Sequence, residues 1–289
     1  MQVETVLITG GTGLIGQQLA KLLREKGYRV LLLGRTPDHL ADPPVYQWDY
    51  RKRFLEEEAI SQTHYIIHLA GAGIGDKQWT AVRKKEIIES RTLTTKLLFD
   101  TVSRLKTPLK AFISSSAIGI YGNNTNAPPA IESDLPAGDF LAGTCRVWEE
   151  SAMLFEQAGI RTVLVRTGLV LATEGGALPR LLKPIRAGLG SPLGTGKQFM
   201  PWIHMDDLCS IYLNAIENTA MTGPYNAVAP STVTNKEFTR ILADVLRRRI
   251  LLPRVPSFYT STYFWRDGRY IDKRPARKSN KIPGNRIPV

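Results

Sequence analysis

Three glycines spaced three residues apart lie near the start of the chain, in the segment Thr9-Gly10-Gly11-Thr12-Gly13-Leu14-Ile15-Gly16. An apolar run, Val3 to Ile8, precedes this segment, and a helical pattern, Gln17 to Lys26, follows it. A parallel strand that turns tightly into a helix directs backbone N–H groups and the positive end of the helix dipole toward one place, which suits the pyrophosphate of a dinucleotide. The sequence therefore predicts a dinucleotide site here, and the alternative is a glycine-rich turn without a ligand.

The three glycines have different predicted roles in this turn. Gly10 permits the turn, Gly13 lets a phosphate approach the backbone, and Gly16 lets the helix pack on the strand. The turn and the first helical residues should therefore contact the ligand together, at Gly10, Thr12, Gly13, Leu14 and Ile15.

The residues after the second predicted strand, Tyr28 to Leu33, distinguish between the two nicotinamide dinucleotides. Sites that prefer NAD usually place an acidic residue there, which binds the ribose 2′-hydroxyl. This chain has Gly34-Arg35-Thr36 at that place and no acidic residue. A guanidinium matches a 2′-phosphate in charge and in bidentate geometry. The sequence therefore favours NADP(H) over NAD(H), with Gly34 and Arg35 as contacts; the alternative is that Arg35 is an ordinary surface residue.

Candidate catalytic hydroxyl groups end a later predicted strand, which runs from Ala111 through Ser114-Ser115-Ser116 and is followed by Tyr121. A hydroxyl at the carboxyl end of a parallel strand lies in the ligand crevice, so Ser114 is expected to contact the cofactor. Ser116 is the candidate that hydrogen-bonds a substrate carbonyl. Tyr121 is a candidate proton donor, with packing beside the cofactor as its alternative role.

Other polar residues have structural interpretations. His68, inside the buried run Tyr65 to Gly71, is predicted to be a packed core histidine rather than a catalytic one. Asp206 and Asp207 are interpreted as residues that cap a helix and interact with its dipole, rather than as a metal site or an acid/base pair. The sequence predicts no metal ligands.

The strands that carry these residues alternate with helical patterns, which predicts an α/β fold with a doubly wound parallel sheet. The alternation stops after Leu171, where a Gly/Pro-rich stretch surrounds a short helix, Leu178 to Ala187. We therefore predict a dinucleotide-binding domain over residues 1–170, with a return segment near 200–220. Residues 171–289 are predicted to form mainly a smaller C-terminal α/β substrate lobe.

Composition limits the class of protein. A chain of 289 residues that is 43% hydrophobic can bury one large core. It has no apolar run long enough to span a membrane, and its two cysteines, Cys145 and Cys209, fit a reducing compartment. We therefore expect a soluble, cytoplasmic protein without a membrane partner.

Most of the net charge of +12 belongs to the end of the chain, because residues 247–289 hold 12 Lys+Arg and only 2 Asp+Glu. Nucleic acid is therefore not the favoured partner, and the sequence leaves a homo-oligomer open.

Several further motifs accompany the glycine turn: Leu69-Ala70-Gly71, Lys85-Glu86-Ile87-Ile88-Glu89-Ser90-Arg91, Cys145-Arg146-Val147-Trp148-Glu149, Val165-Arg166-Thr167-Gly168 and Gln198-Phe199-Met200-Pro201-Trp202-Ile203-His204. With them the chain resembles the extended short-chain dehydrogenase/reductases, in particular the atypical subgroup of epimerase family proteins or nucleoside-diphosphate-sugar epimerases. The resemblance implies a Rossmann NADP-binding domain and a smaller C-terminal substrate lobe. It also implies an oxidoreductase or epimerase-like activity on a carbonyl or hydroxyl of a small molecule. It does not imply a particular substrate, and a nucleotide-sugar-like molecule is one candidate. The cofactor contacts that it implies are Arg35, Leu69, Ala70, Gly71, Glu86, Arg91 and Val170; for Glu86 and Arg91 a solvated helix face is the alternative.

One family motif is missing. Extended members carry Tyr-x-x-x-Lys on the helix after the serine strand, and this spacing places both side chains on one helix face. The ammonium lowers the pKa of the phenol, which exchanges a proton while a hydride moves. Here the Tyr position holds Leu141 or Ala142, and the Lys position holds Cys145 or Arg146. Two hypotheses remain: an enzyme with a rearranged acid, and a protein that binds NADPH without turnover as a sensor or scaffold.

The basic segment from Phe264 onward does not continue the pattern of the substrate lobe. It lacks a clear period where an apolar helix is expected. One permitted set of codons for Phe264 to Lys278, read one base later, encodes Phe-Gly-Glu-Met-Ala-Val-Ile-Leu-Ile-Asn-Gly-Gln-Pro-Val, which is similar to the C-terminal helix of the subgroup. We therefore hypothesise a reading-frame shift near Phe264, which makes residues 264–289 an aberrant tail. Sequencing the gene tests this hypothesis.

Overall fold

The computed structural model describes residues 3–122 and 130–250. Within these ranges the strands are β1 (Thr5–Thr9), β2 (Arg29–Gly34), β3 (Val45–Asp49), β4 (Phe54–Leu55), β5 (Tyr65–His68), β6 (Ala111–Ala117), β7 (Arg161–Thr167), β8 (Leu169–Leu171), β9 (Phe199–Met200), β10 (Trp202–His204), β11 (Gly223–Ala227) and β12 (Val233–Thr234). The helices are α1 (Leu14–Glu25), α2 (Glu57–Ser61), α3 (Ala81–Leu105), α4 (Phe140–Gln157), α5 (Ala177–Arg186), α6 (Met205–Glu217) and α7 (Asn235–Val245). A 3-10 turn, Ile118–Tyr121, follows β6.

The main sheet has eight strands in the order β11-β7-β6-β5-β1-β2-β3-β4. Every pairing from β11 to β3 is parallel, and only the short edge strand β4 runs antiparallel to its neighbour. The chain builds outward in one direction from β1 to β3 and in the other from β5 to β11. The predicted doubly wound α/β fold is therefore confirmed. The order reverses between β1 and β5, where sheets of this type open a ligand crevice at their carboxyl edge.

Side chains of the buried strands form two apolar layers, one on each face of the sheet, because successive residues of a strand point to opposite faces. On one face, Val6 and Ile8 pack with residues of α1 and α6. On the other face, Leu7 packs with residues of α2, α3 and α4. The central part of β1, β2 and β5 is a continuous run of buried apolar residues, as expected for a parallel sheet covered on both faces.

The chain after β7 forms smaller elements and then returns to the main sheet. β8 pairs in parallel with β10, and β9 pairs antiparallel with β12. Helix α6 joins the core on the α1 face, and β11 extends the sheet beside β7. The proposed boundary at residue 170 stays a prediction, and so do the substrate role of the lobe and the hypothesis about residues 264–289, which lie outside the described residues.

Helices α7 and α6 are capped at their N-termini by side chains of different types. Thr234 caps α7 and forms a capping box with Glu237, as expected for this residue pair. The interpretation of Asp206 as a cap of α6 is wrong, because the Nδ1 atom of His204 accepts the Asp206 N–H at 3.3 Å. Asp206 and Asp207 lie in the first turn instead, where their charge favours the helix dipole. Among the described helices, none has the length and apolar character that crossing a bilayer requires.

Candidate functional site

The glycine turn joins β1 to α1 at the carboxyl edge of the sheet. Gly10 has a φ of 68°, which strains any residue that carries a Cβ atom, and its carbonyl oxygen accepts the Gly13 N–H at 3.0 Å. Gly13 is the N-cap of α1, and the cap offers no side-chain acceptor to the first helical N–H groups. A Cβ atom on Gly16 would lie 2.5 Å from both the Gly10 oxygen and the Gly11 Cα. Helix α1 therefore approaches the turn as closely as glycine allows, and Thr12, Leu14 and Ile15 lie at this edge.

The loop that follows β5 lies directly against the glycine turn. A Cβ atom on Gly10 would lie 3.1 Å from the Ala70 nitrogen and 3.2 Å from the Leu69 carbonyl carbon. The Ala70 N–H donates to the Thr9 Oγ1 at 3.1 Å, which fixes the loop to the end of β1. The structure thus brings Leu69 and Ala70 together with Gly10, as a common wall of the crevice.

His68 is the core histidine that the sequence predicts. It is fully buried, with Nδ1 2.7 Å from the Thr9 Oγ1 and Nε2 3.2 Å from the Thr94 Oγ1. Burial lowers the pKa of His68 to about 3, so the imidazole is neutral in the folded protein. Its role is to fix the ends of β1 and β5.

This buried imidazole makes the stability of the protein depend on pH. Because folding lowers the pKa of His68, the unfolded chain binds a proton at pH values where the folded protein does not. The free energy of unfolding therefore falls as pH decreases below about 6.5. Between about pH 7.5 and pH 5 we expect a contribution of about 2 kcal/mol to the loss of unfolding free energy. Urea unfolding at both pH values measures it. The pH difference should shrink in His68→Gln, and an unchanged difference would contradict the assignment.

Three side chains of α3 hold the loop after β5. Arg91 is buried and donates from Nη1 to the carbonyl oxygens of Ala72, at 3.1 Å, and Ile87, at 2.9 Å. The Ser90 Oγ accepts the Ala72 N–H at 2.9 Å. Arg83 donates to the Gly73 oxygen and, at 2.7 Å, to the Glu86 Oε2. The loop is therefore a fixed wall of the crevice.

The contacts of Glu86, Arg91 and Gly71 with a cofactor stay predictions. The hydrogen bond from Arg83 lowers the pKa of Glu86, whose carboxylate is about one-third exposed. Arg91 lies behind the loop, with its guanidinium carbon 4.8 Å from the centre of the Trp148 ring. A Cβ atom on Gly71 would lie 3.0 Å from the same guanidinium carbon, so this glycine allows the close approach of Arg91.

Arg35 and Val170 lie on opposite sides of the glycine turn. Arg35 is exposed immediately after Gly34 ends β2, where the sequence predicts a contact with a 2′-phosphate. Val170 is half-buried in β8, opposite Ile203 of β10. The chain beyond β8 also reaches α1, since a Cβ atom on Gly176 would lie 3.1 Å from a Leu14 methyl carbon. The smaller elements therefore close one side of the crevice.

A buried polar network lies at the ends of β6 and β7. The Ser116 Oγ donates to the Glu149 Oε1 at 2.6 Å, and Arg166 donates to both Glu149 oxygens at 2.8 Å. Arg166 also donates at 2.8 Å to the Tyr121 hydroxyl, which donates in turn to the Asn226 Oδ1 at 2.7 Å. Glu132 completes the network, because its backbone oxygen accepts from Arg166 and its Oε1 accepts the Asn226 N–H.

The network engages both candidate catalytic hydroxyls. Ser116 is 2% exposed and Tyr121 is 3% exposed, and each donates its one hydroxyl hydrogen to another side chain. Burial raises the pKa of Tyr121 to about 12, against the opposing effect of Arg166. Ser114 is also buried and donates to the Ser115 oxygen. In this arrangement none of the three offers a hydroxyl hydrogen to the crevice, and their catalytic or cofactor roles stay predictions.

The sequence profile of the NAD dependent epimerase/dehydratase family matches residues 6–228, which include the glycine turn, the loop after β5 and both ends of the buried network. The chain belongs to this family. It is 37% identical over 265 residues to the human epimerase family protein SDR39U1, an alignment that covers 90% of this chain and 86% of that protein. It is 34% identical over 258 residues to the epimerase family protein YfhF of Bacillus subtilis, with coverage of 89% and 84%.

Solved structures agree with this membership of the epimerase/dehydratase family. The crystal structure of human SDR39U1 (isoform 2) with NADPH matches with a TM-score of 0.83 and 33% identity, over 95% of this chain and 90% of that one. The UDP-glucose 4-epimerase of Thermotoga maritima matches with a TM-score of 0.73 at 18% identity, over 96% and 90%. The second match shows a shared fold alone.

This epimerase/dehydratase family member lacks the usual proton-transfer pair on α4. Leu141, Ala142 and Cys145 are buried at the positions considered for the pair. Arg146 points to solvent and donates to Glu150 at 2.9 Å. The polar residue that α4 does direct toward β6 is Glu149, one turn after Cys145.

The sequence predicts only two members of the buried network, Ser116 and Tyr121. It does not predict the other four, which are Glu132, Glu149, Arg166 and Asn226. The sequence nevertheless contains a pattern that indicates two of these four. Arg166 lies inside an apolar strand, and Glu149 follows Trp148 on the apolar side of α4. Charged residues are almost never buried without a partner, so these two positions together indicate an ion pair.

Proposed function

We propose that this epimerase/dehydratase family member binds NADP(H) and acts as an oxidoreductase or epimerase-like enzyme on a carbonyl or hydroxyl group of a small, nucleotide-sugar-like molecule. One observation carries the proposal: the glycine turn, packed on Leu69 and Ala70 at the topological switch, with Arg35 exposed after β2. The human relative crystallised with NADPH supports the choice of cofactor.

The residues present fit this cofactor. The turn from Gly10 to Gly16 brings bare backbone to the start of α1, and a Cβ atom on Gly13 would already lie 3.2 Å from the Gly10 oxygen. A diphosphate would be held there by N–H groups of the first helical turn and by the helix dipole. The Arg35 guanidinium would bind the 2′-phosphate. When bound, NADPH supplies the hydride for a reduction.

A second candidate function is a protein that binds NADPH without turnover, as a redox sensor or scaffold. The buried network favours it, because Ser116 and Tyr121 are fully engaged with protein partners and α4 supplies neither a phenol nor an ammonium. The two functions differ in turnover. A panel of small aldehydes, ketones and conjugated carboxylates is followed by loss of nicotinamide absorbance, and catalytic oxidation of NADPH supports a reductase. Because an epimerase returns the hydride to its substrate and consumes no cofactor, nucleotide sugars incubated with the protein and NADP+ are also followed by NMR. Bound cofactor with no change in either assay supports the sensor.

Replacing Arg35 tests the cofactor choice. We expect Arg35→Gln to weaken NADPH binding about 10- to 100-fold and to leave NADH binding nearly unchanged, because the charge-assisted contact with a 2′-phosphate is lost. Titrations followed by nicotinamide fluorescence measure both constants. Arg29→Gln is the matched control: it removes the same charge from the opposite end of the same strand, where the side chain is also exposed.

The outcomes separate the parts of this proposal. An NADPH preference that disappears in Arg35→Gln and survives in Arg29→Gln supports the proposal. Equal affinities of the parent protein for NADPH and NADH would contradict the role of Arg35. Failure of the parent protein to bind either dinucleotide would contradict the proposed function itself.

We further propose a small molecule, rather than nucleic acid or a membrane, as the partner, because the basic excess is confined to residues 247–289. A reducing, cytoplasmic location agrees with the two buried, unbridged cysteines, Cys145 and Cys209. A homo-oligomer stays open, and the oligomeric state in solution is measurable by sedimentation.

A further inference from the structure

Two aromatic rings and a lysine meet where helices α3 and α4 begin. Trp79 immediately precedes Thr80, the N-cap of α3, and Phe140 is the first residue of α4. The centres of their rings are 5.3 Å apart at an angle of 62°, and the Lys84 Nζ lies 5.0 Å from the centre of the Phe140 ring. We call Trp79, Lys84 and Phe140 the aromatic corner.

The positions of these residues in α3 explain why they meet. The residue before an N-cap commonly packs against the fourth helical residue, in a contact that is usually made by two apolar side chains. Here the two positions hold Trp79 and Lys84, so an aliphatic stem lies at the apolar position and an ammonium is left at its end. A hydrogen bond from the Trp79 Nε1 to the Ile74 oxygen, at 2.9 Å, fixes the indole.

Charge at the corner favours an anion. Among the described residues no carboxylate forms an ion pair with Lys84, whereas its neighbours Arg83 and Lys85 pair with Glu86 and Glu89. The Arg83 Nε is buried and has no hydrogen-bond acceptor among the residues that the structure describes. The N-terminus of α3, which the neutral Thr80 hydroxyl caps, adds positive potential there, whereas the carboxylate of Asp139 caps α4.

The corner lies on the two chain segments that follow β5 and β6. Trp79 belongs to the loop that starts at Leu69 and Ala70 on the glycine turn, and α3 clamps that loop through Arg83 and Arg91. Phe140 follows Asp139, whose Oδ2 would lie 3.2 Å from a Cβ atom on Gly122, at the end of the 3-10 turn after β6. Both sides of the corner therefore follow the carboxyl ends of neighbouring strands, where ligands bind in open parallel sheets.

We propose that the aromatic corner binds the substrate through a carboxylate conjugated to a flat, unsaturated group. The rings of Trp79 and Phe140 offer apolar surface to the flat group, and Lys84 pairs with the carboxylate at the end of its stem. This inference rests on the proposed function and adds one recognition element to its substrate: a carboxylate on a flat group, besides the carbonyl or hydroxyl group that reacts.

A pair of probes that differ only in charge tests the proposal. trans-Cinnamate and its neutral amide are titrated calorimetrically into the protein saturated with NADPH. We expect cinnamate to bind about fivefold more tightly than the amide, which is the order of one partly exposed ion pair. Lys84→Met should remove this preference and retain amide binding, because methionine keeps an apolar stem. Phe140→Leu should weaken both ligands.

Lys85→Met is the matched control, since Lys85 is the next residue, is exposed and pairs with Glu89 at 3.6 Å. Its preference for cinnamate should equal that of the parent protein. Equal affinities of the parent protein for the two probes, absence of binding of both, or a preference that survives Lys84→Met would overturn the inference. NADPH affinity is measured on the same samples. If the parent protein does not bind NADPH, the proposed function is contradicted. If it binds NADPH but shows no preference for cinnamate, only the role of the aromatic corner is contradicted.

Discussion

Gly16→Ala is expected to abolish measurable NADPH binding and to lower the free energy of unfolding by about 1–3 kcal/mol, the usual range for overpacking. The new Cβ atom would lie 2.5 Å from the Gly10 oxygen and the Gly11 Cα, and 2.8 Å from the Gly11 carbonyl carbon. All three are backbone atoms, so no side chain can rotate away. Helix α1 must then move off the turn, which separates its first N–H groups from the place of the diphosphate. Fluorescence titration and urea unfolding measure the two effects.

Two further variants show whether the close contact of the new Cβ atom at Gly16, rather than the change to alanine itself, causes the loss of binding. Gly13→Ala meets only the Gly10 oxygen, at 3.2 Å, and should weaken NADPH binding with a smaller loss of stability. Gly143→Ala is the control, because Gly143 lies inside α4 with nothing within 4 Å of the new Cβ atom. It should raise the free energy of unfolding by about 0.5–1 kcal/mol and leave NADPH binding unchanged. Parent-like NADPH binding by a folded Gly16→Ala variant would refute the role of the turn.

The sheet was predictable because its signal is local. Apolar strands and helical patterns alternate along the chain, and this alternation permits few arrangements other than a doubly wound sheet. The predicted ends are less accurate. The first strand is Thr5–Thr9 rather than Val3 to Ile8, and α1 begins at Leu14 rather than Gln17. A helix that starts directly at a glycine N-cap has no capping side chain to mark its first residue in the sequence.

The glycine turn and Arg35 were also predictable, since both depend on neighbours in the chain. The buried network was not, because its partners are distant in sequence: Ser116 and Glu149 are 33 residues apart, and Tyr121 and Asn226 are 105 apart. Position at the end of a strand indicates that a hydroxyl lies near the crevice. It does not indicate whether the hydroxyl hydrogen is directed to the crevice or to a buried carboxylate, because tertiary packing determines that direction.

The side chains that replace the missing proton-transfer pair are likewise determined by tertiary packing. The sequence shows that α4 lacks the tyrosine and lysine, and the structure shows what β6 and β7 pack against instead. Glu149 and Arg166 form a bidentate pair, each about nine-tenths buried, with Ser116 and Tyr121 as additional partners. Burial lowers the pKa of Arg166, but the hydrogen bonds and charge of Glu149 outweigh it and raise the pKa overall. The guanidinium is therefore charged, and it requires the carboxylate as its counter-ion.

Glu149→Gln is expected to lower the free energy of unfolding by about 3–5 kcal/mol, because it leaves the buried charge of Arg166 uncompensated. Glutamine nearly matches glutamate in size, so lost packing does not explain a change of this magnitude. Urea unfolding measures the effect. The neighbouring Glu150→Gln is the control: it removes the same charge from an exposed pair with Arg146, at 2.9 Å, and should change stability by less than about 1 kcal/mol.

A double replacement separates the ion pair from the space it fills. Glu149→Met with Arg166→Met removes both charges of the pair and should be less destabilising than Glu149→Gln alone, since neither partner is left buried without the other. If Glu149→Gln and Glu150→Gln proved equally mild, the network would not hold the ends of β6 and β7 as described. Ser116 would also gain a free hydroxyl hydrogen in the double variant, so NADPH-dependent turnover that appeared only there would show that the buried carboxylate withholds this serine from catalysis.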